Sequence, residues 1–224
     1  MLIEKDKEQA IMTKRSLKVE SLIFDIDGTL WDSREIVAEG YNLQLRQEGL
    51  PQYCVTAEDL KSLFGKTMSE IADIMLAEVQ PPERYDLMER CMAREQEYLH
   101  QSNCNIGYPK VKETLEERAK KYRLFIVSNS QKGYPEVMME KLSITHLFAG
   151  HLCYGDTGTD KGTTIKILME KHGIKDALYI GDTQGDYEAT AASGIPFIWA
   201  AYGFGIPDGY AAKVDAFDEL LEIL

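Results

Sequence analysis

The chain has 224 residues, enough for one substantial hydrophobic core and a smaller appended domain. Its apolar and charged fractions, 44% and 28%, are those of an ordinary globular protein and exclude collagen-like or wholly disordered classes. A formal net charge of −12, with no clustered run of lysine and arginine, argues against a nucleic-acid partner, because the surface as a whole repels a phosphate backbone.

Residues 1 to 20 are densely charged and only weakly periodic, and they are set apart as an N-terminal extension with no assigned function. Their start, MLIEKDKEQAIMTKR, mixes both charges and lacks the apolar stretch of a signal segment. No apolar run approaches the roughly 20 residues that span a bilayer, so no membrane partner is expected and a cytoplasmic location is the default. Cys54, Cys91, Cys104 and Cys153 form no C-x-x-C pair and have no histidine at zinc-ligand spacing, which predicts free thiols.

Ser21-Leu22-Ile23-Phe24 is a continuous apolar run stopped at Asp25-Ile26-Asp27-Gly28, the pattern of a strand buried on both faces and ended by a turn. Residues 33 to about 104 read as helical. Ile36, Val37, Tyr41, Leu43 and Leu45 recur near helical spacing, segments over 68–79 and 83–100 follow, and Pro51 and Pro81-Pro82 punctuate them. Met68, Met75, Met88 and Met92 are expected to pack these helices together. From Lys110 the pattern alternates: a helix to Tyr122, a strand over 124–127, a helix over 136–142 and a short strand near 151–154. A helix over 162–172, a strand over 177–180, a helix over 187–193 and a strand over 196–199 complete it. Such alternation predicts an α/β fold, a doubly wound parallel sheet with crossover helices on both faces and an all-α block inserted after the first strand. The predicted division is a core of residues 21–32 and 105–224 and a helical cap of residues 33–104, set like a lid at the strand ends where such folds bind ligands.

The expected strand ends carry the chemistry: Asp25 and Asp27 after the first, Ser128 after the second, and Asp182 with Asp186 after the fourth, while Lys161 precedes a helix. Parallel strands share one carboxyl edge, so these positions should meet in one crevice. Phosphoryl transfer needs a nucleophile, a cation and fixed donors around the phosphoryl oxygens. Asp25 can attack phosphorus to form an aspartyl-phosphate, and Asp27 can protonate the leaving alkoxide and later deprotonate water. Asp182 offers a hard oxygen ligand for Mg²⁺ together with Asp25 and a backbone carbonyl, with residues 25, 27, 182 and 186 as the metal group and Asp186 acting behind the others. Ser128 can donate to a phosphoryl oxygen, Lys161 can neutralise its charge, and the turn at Gly28 and Thr29 should leave N–H groups near the phosphate. The implied partner is a small phosphorylated metabolite; oligomeric state is left open.

Phe24-Asp25-Ile26-Asp27-Gly28-Thr29-Leu30 resembles the first signature motif of the haloacid dehalogenase superfamily. Val127-Ser128-Asn129 resembles the second, Lys161 at a helix start the third, and Tyr179-Ile180-Gly181-Asp182 with Asp186 the fourth, in the family's order. Gly162 stands where many relatives have proline. The helical insert is similar to the cap of the subgroup containing phosphoglycolate phosphatases and β-phosphoglucomutases. That resemblance implies a Mg²⁺-dependent phosphatase with Asn129 at the substrate. It also implies a cap loop, Leu63-Phe64-Gly65-Lys66-Thr67, from which Lys66 contacts the leaving group.

Competing readings are weaker. An EF-hand starting at Asp25 fails because Leu30 and Ile36 occupy its glycine and bidentate acid, and a P-loop at 155–162 lacks the glycine and hydroxyl that flank its lysine. A dehalogenase needs neither Asp27 nor Asp182, and a phosphonatase lacks a carboxylate at the position of Asp27. A phosphomutase would share every core residue, and a non-catalytic phosphate-binding module on the same scaffold would require loss of the nucleophile or metal ligands.

Overall fold

The computed structural model describes residues 19–103 and 106–224. Most of the N-terminal extension, and Cys104, lie outside these residues. Ser21–Phe24 (β1) is buried at every position, as its unbroken apolar run requires. It pairs in parallel with Arg123–Ser128 (β2) on one side and Ala177–Gly181 (β4) on the other. Phe148–Cys153 (β3), Phe197–Ala200 (β5) and Ala212–Val214 (β6) extend the sheet in the order β3-β2-β1-β4-β5-β6, every pairing parallel. The chain leaves β1 toward β2 and β3, then returns across β1 to β4. The carboxyl ends of β1, β2 and β4 therefore border one crevice, the switch point at which such sheets bind ligands.

Alternate side chains of each strand go to opposite faces. Leu22, Phe24, Ile126 and Ile180 join one buried cluster, and Ile23, Phe125, Val127 and Tyr179 join the other. The second face is covered by Lys161–His172 and Gln184–Ser193, through Ile165, Leu168 and Ala189. The first is continuous with the helices that follow β1: Arg34–Gln47 (α1), Ala57–Lys61 (α2), Met68–Met75 (α3) and Glu83–Gln101 (α4). Thr56 with Asp59, and Thr67 with Glu70, form capping boxes that start the two short helices. Gly40 lets α1 and α4 touch backbone to backbone, since a Cβ there would lie 2.7 Å from the Cα of Glu95. Gln96 Nε2 donates to Lys132 O at 2.9 Å and Lys141 Nζ to His100 O at 3.0 Å, bracing α4 against the sheet domain.

The strands expected over 21–24, 124–127, 177–180 and 196–199 agree with the observed elements within one residue at each end. The one expected near 151–154 begins earlier, at Phe148, where the β2–β3 register shifts. β6 was not foreseen, because its three residues include the exposed Lys213 and carry no pattern. Met88 is buried among the helices and Met68, Met75 and Met92 pack against that cluster, as expected. Cys54, Cys91 and Cys153 are free thiols. No helix among the described residues is long and apolar enough to cross a membrane.

Candidate active site

Asp25 follows β1 directly and is only 3% exposed; its N–H bonds Ile180 O of β4 at 2.9 Å. Gly28, at φ +82, then turns the chain back. A Cβ there would lie 2.1 Å from a carboxylate oxygen of Asp182, so glycine is what lets the turn rest against that acid. The turn consumes the Gly28 N–H on Trp31 O (2.9 Å) and the Thr29 N–H on Ile26 O (3.2 Å), contrary to the expectation that both stay free. Within this turn the N–H groups of Ile26 and Asp27 have no acceptor among the described residues. Thr29 instead directs its hydroxyl to Asp182 Oδ1 at 3.4 Å.

Asp27 has a different set of partners. Its Oδ1 accepts from Trp31 Nε1 at 2.8 Å, Ser33 Oγ at 2.5 Å and Tyr134 OH at 2.8 Å. With three donors on Oδ1, a proton on this carboxyl belongs on Oδ2. Burial pushes the group above the usual carboxylate range, against the opposing pull of Ser33, Tyr134 and Trp31. None of these three donors was singled out from the sequence. Tyr134 comes from the helix Tyr134–Lys141, 107 positions away, where no spacing rule points to it.

Asp25, Asp182 and Asp186 form a buried trio, one carboxylate oxygen of each lying within 4.8 Å of the others. Lys161 Nζ donates to Asp25 Oδ1 at 3.0 Å and to Asp186 Oδ1 at 2.6 Å. Lys161 opens its helix behind the Asp160 cap, and Gly162 packs tightly on the next helix, a Cβ there lying 3.1 Å from Ala189 O. Asp186 Oδ2 already takes the N–H groups of Asp182 (3.1 Å) and Thr183 (2.9 Å) and the Thr183 hydroxyl (2.7 Å). Asp182 has the Phe204 N–H at 2.7 Å and the distant Thr29 hydroxyl, so Asp25 and Asp182 keep the spare lone pairs. The Asp27 carboxylate is not part of this trio, which leaves residue 27 only its main-chain carbonyl as a metal contact.

Burial, reinforced by Asp186, pushes Asp25 up to about 7 despite the pull of Lys161, and burial with Asp186 and Asp25 raises Asp182 well above its ordinary value. Burial acts the same way on Asp186, but Lys161 outweighs it and holds that carboxyl low. Three carboxylates and one ammonium leave a formal charge of −2 in a site shut off from water. A divalent cation with a preference for oxygen ligands removes that deficit, so the residues present fit Mg²⁺.

Ser128 ends β2 and is buried; its Oγ accepts the Ser130 N–H at 3.2 Å, which leaves the hydroxyl proton to donate. Asn129 is committed to the loop before Met68–Met75, donating from Nδ2 to Gly65 O at 2.7 Å, while its Oδ1 is buried without a partner among the described residues. Lys66 is exposed at the rim between an inner cavity of about 30 Å³ and an open groove of about 970 Å³. The inner cavity has Asp25, Asp27, Ser128 and Lys161 on the sheet side and Val37, Phe64, Met68 and Ile71 on the helical side. Phe204 lines the groove and stacks on Phe64 at 5.6 Å, whereas Tyr202 packs against Tyr108 and bonds Thr29 O at 2.8 Å.

Glu95 of α4, overlooked in the sequence, also lines the inner cavity at 2% exposure. Burial, aided by the charge of Asp27, pushes its carboxyl up to about 8 against hydrogen bonds from Gln131 and Tyr41. The same group titrates near 4.5 in the unfolded chain, so between those two values the folded protein holds a proton that the unfolded chain has released. Stability therefore falls as pH rises through that window. Glu95→Gln should abolish the penalty, raising stability by about 2–3 kcal/mol at pH 7 and by little at pH 5. Urea unfolding at the two pH values measures it, and an equal effect at both would refute the burial argument.

Acids with opposed surroundings, a buried lysine and a serine at a strand end, gathered on the carboxyl edge of a parallel sheet, define a hydrolase of the phosphoryl-transfer kind. A model of the haloacid dehalogenase-like hydrolase family matches residues 22–200, and the chain belongs to that family. A phosphoglycolate phosphatase of Aliivibrio fischeri is 28% identical over 222 residues, covering 92% of this chain and 96% of its own. One from Pasteurella multocida is 28% identical over 218 residues, covering 90% and 95%. A crystal structure described as a predicted phosphoglycolate phosphatase from Haemophilus somnus superposes with a TM-score of 0.78 at 26% identity, covering 92% of this chain and 97% of that one. The chain is accordingly an enzyme of the phosphatase kind.

Proposed function

We propose that this enzyme hydrolyses small phosphate monoesters through an aspartyl-phosphate on Asp25, with Mg²⁺ held by Asp25, Asp182 and the main-chain carbonyl of Asp27. Bound there, the ion supplies charge neutralisation for the phosphoryl oxygens and the carboxylates beneath them. An oxygen of Asp25 forms a bond to phosphorus as the ester P–O bond breaks, and the departing alkoxide takes the proton carried on Asp27 Oδ2. Water then attacks the phosphorus of the aspartyl-phosphate and loses a proton to Asp27, so that inorganic phosphate leaves and Asp25 is restored. Ser128 and the unbonded N–H groups of Ile26 and Asp27 donate to the phosphoryl oxygens. Lys161, fixed by Asp186, keeps Asp25 in position. Asn129 acts by holding the cap loop closed, and Lys66 reaches the leaving group from the rim.

The observation that carries this reading is the contrast between two acids two residues apart. Asp25 lies among Lys161, Asp182 and Asp186, and Asp27 among three neutral donors that leave one oxygen free to hold a proton. Both the nucleophile and the metal-binding acids are present, which argues against a non-catalytic module. Phosphoglycolate, for which the relatives are named, belongs in the first substrate panel. The test is Asp27→Asn. It should slow phosphoenzyme formation from alkyl phosphates by about 10²–10⁴-fold but from acetyl phosphate far less, because acetate needs no proton to depart, while hydrolysis of the phosphoenzyme slows for both. Equal losses of phosphoenzyme formation on both substrates would remove Asp27 from the acid's role.

A further inference from the structure

Glu95 is a buried acid that the proposed reaction does not use. It belongs to a helix laid over the sheet's carboxyl edge, it lines the same cavity as Asp25 and Asp27, and no ion pair within 4 Å joins it among the described residues. Gln131 Nε2 donates to its Oε2 at 3.2 Å, and the Tyr41 hydroxyl also bonds the carboxyl. The backbone holds it firmly there, because Gly40 brings α1 against Glu95 itself. A buried carboxyl without a countercharge costs stability even when hydrogen-bonded, so packing alone does not account for it.

We propose that Glu95 is a specificity residue, exchanging a hydrogen bond with a hydroxyl on the alcohol half of a small phosphate ester, next to or one carbon beyond the ester carbon. The assignment rests on the phosphatase reading of the site and deepens it. Asp25, Ser128 and Lys161 line the cavity from the sheet's carboxyl edge, where the proposed reaction puts the phosphate, while Glu95, like Val37, Met68 and Ile71, lines it from the helices that follow β1. A hydroxyl satisfies Glu95 in either protonation state, since a carboxyl can donate to it and a carboxylate can accept from it. A second anionic group is disfavoured. Inside the cavity it would face Asp25, Asp27 and Glu95, with Lys161 already shared between two aspartates, whereas Lys66 meets only the part of a leaving group that extends to the rim.

The discriminating measurement is the ratio of kcat/KM for 1,2-propanediol 1-phosphate to that for n-propyl phosphate, which differ by one hydroxyl. The full-length enzyme with Mg²⁺ should prefer the diol ester by about 10- to 100-fold, the range expected when a buried polar group loses its partner. Glu95→Leu should bring the ratio close to one, and Glu95→Gln, which keeps the size and can still hydrogen-bond, should retain part of it. Glu95→Gln also serves if the leucine variant does not fold. A merely structural Glu95 would lower both esters alike and leave the ratio unchanged, which overturns the assignment, as does a wild-type ratio near one. A wild-type preference for phosphoglycolate over the diol ester that Glu95→Leu removes would overturn it in favour of a carboxylate ligand. If neither ester nor acetyl phosphate is hydrolysed, the phosphatase reading fails as well, whereas turnover of acetyl phosphate with a ratio near one condemns the Glu95 assignment alone.

Discussion

Asp25→Asn should eliminate both phosphate release and phosphoenzyme, lowering kcat by at least about 10⁴-fold, because an amide neither attacks phosphorus nor carries the phosphoryl group. The substitution preserves volume, and its amide oxygen can still accept from Lys161 Nζ, which lies 3.0 Å from Asp25 Oδ1. The loss is then one of chemistry, and circular dichroism of the variant checks that the fold survives. Rapid-quench trapping with labelled acetyl phosphate gives the direct readout. Wild type should accumulate an acid-stable label on Asp25 and the variant none. A variant that still becomes labelled, or retains a tenth of the wild-type rate, would show that another group attacks phosphorus.

Removal of divalent metal should be equally severe for turnover and should also reach stability. Asp25, Asp182 and Asp186 with Lys161 leave −2 of formal charge in a buried site when all three acids are ionised, a state that burial and mutual repulsion penalise in the metal-free protein. EDTA should abolish activity. Adding Mg²⁺ at about 100 times its dissociation constant should contribute about 2.7 kcal/mol and raise Tm by roughly 5–10 °C. Asp182→Asn takes away one repelling charge and one ligand together. Its metal-free Tm should rise above that of wild type, and its response to Mg²⁺ should largely vanish. Because Tm is read without substrate, this test separates a metal site from an activity lost for other reasons. Undiminished turnover after rigorous chelation, or a Tm indifferent to Mg²⁺, would refute the assignment.

The sheet and the acids at its edge were legible because their causes are local. An unbroken apolar run such as Leu22 to Phe24 can be satisfied only by burial on both faces, and an aspartate immediately after it has nowhere to be but the carboxyl edge of the sheet. Repetition of that pattern at Ser128 and Asp182 placed distant residues together by topology alone. Lys161 followed from its position at the start of a crossover helix. The alternation of strand and helix, and the helical block after the first strand, needed no tertiary knowledge either.

What only the folded chain decided was how hydrogen-bonding capacity is shared among those residues. Gly28 and Thr29 seemed to offer free N–H groups, but the turn spends them on Trp31 and Ile26 and leaves those of Ile26 and Asp27 instead. Asn129 gives its amide to Gly65 O, and Tyr134 arrives from another helix to bond Asp27. Glu95 looked like one more surface acid on a helix rich in charge, until the close approach at Gly40 turned it inward. Sequence periodicity settles which residues sit at the strand ends, because period and burial follow from the backbone. It does not settle which donor meets which acceptor, because a hydrogen bond is decided over a few tenths of an ångström between segments far apart in the chain.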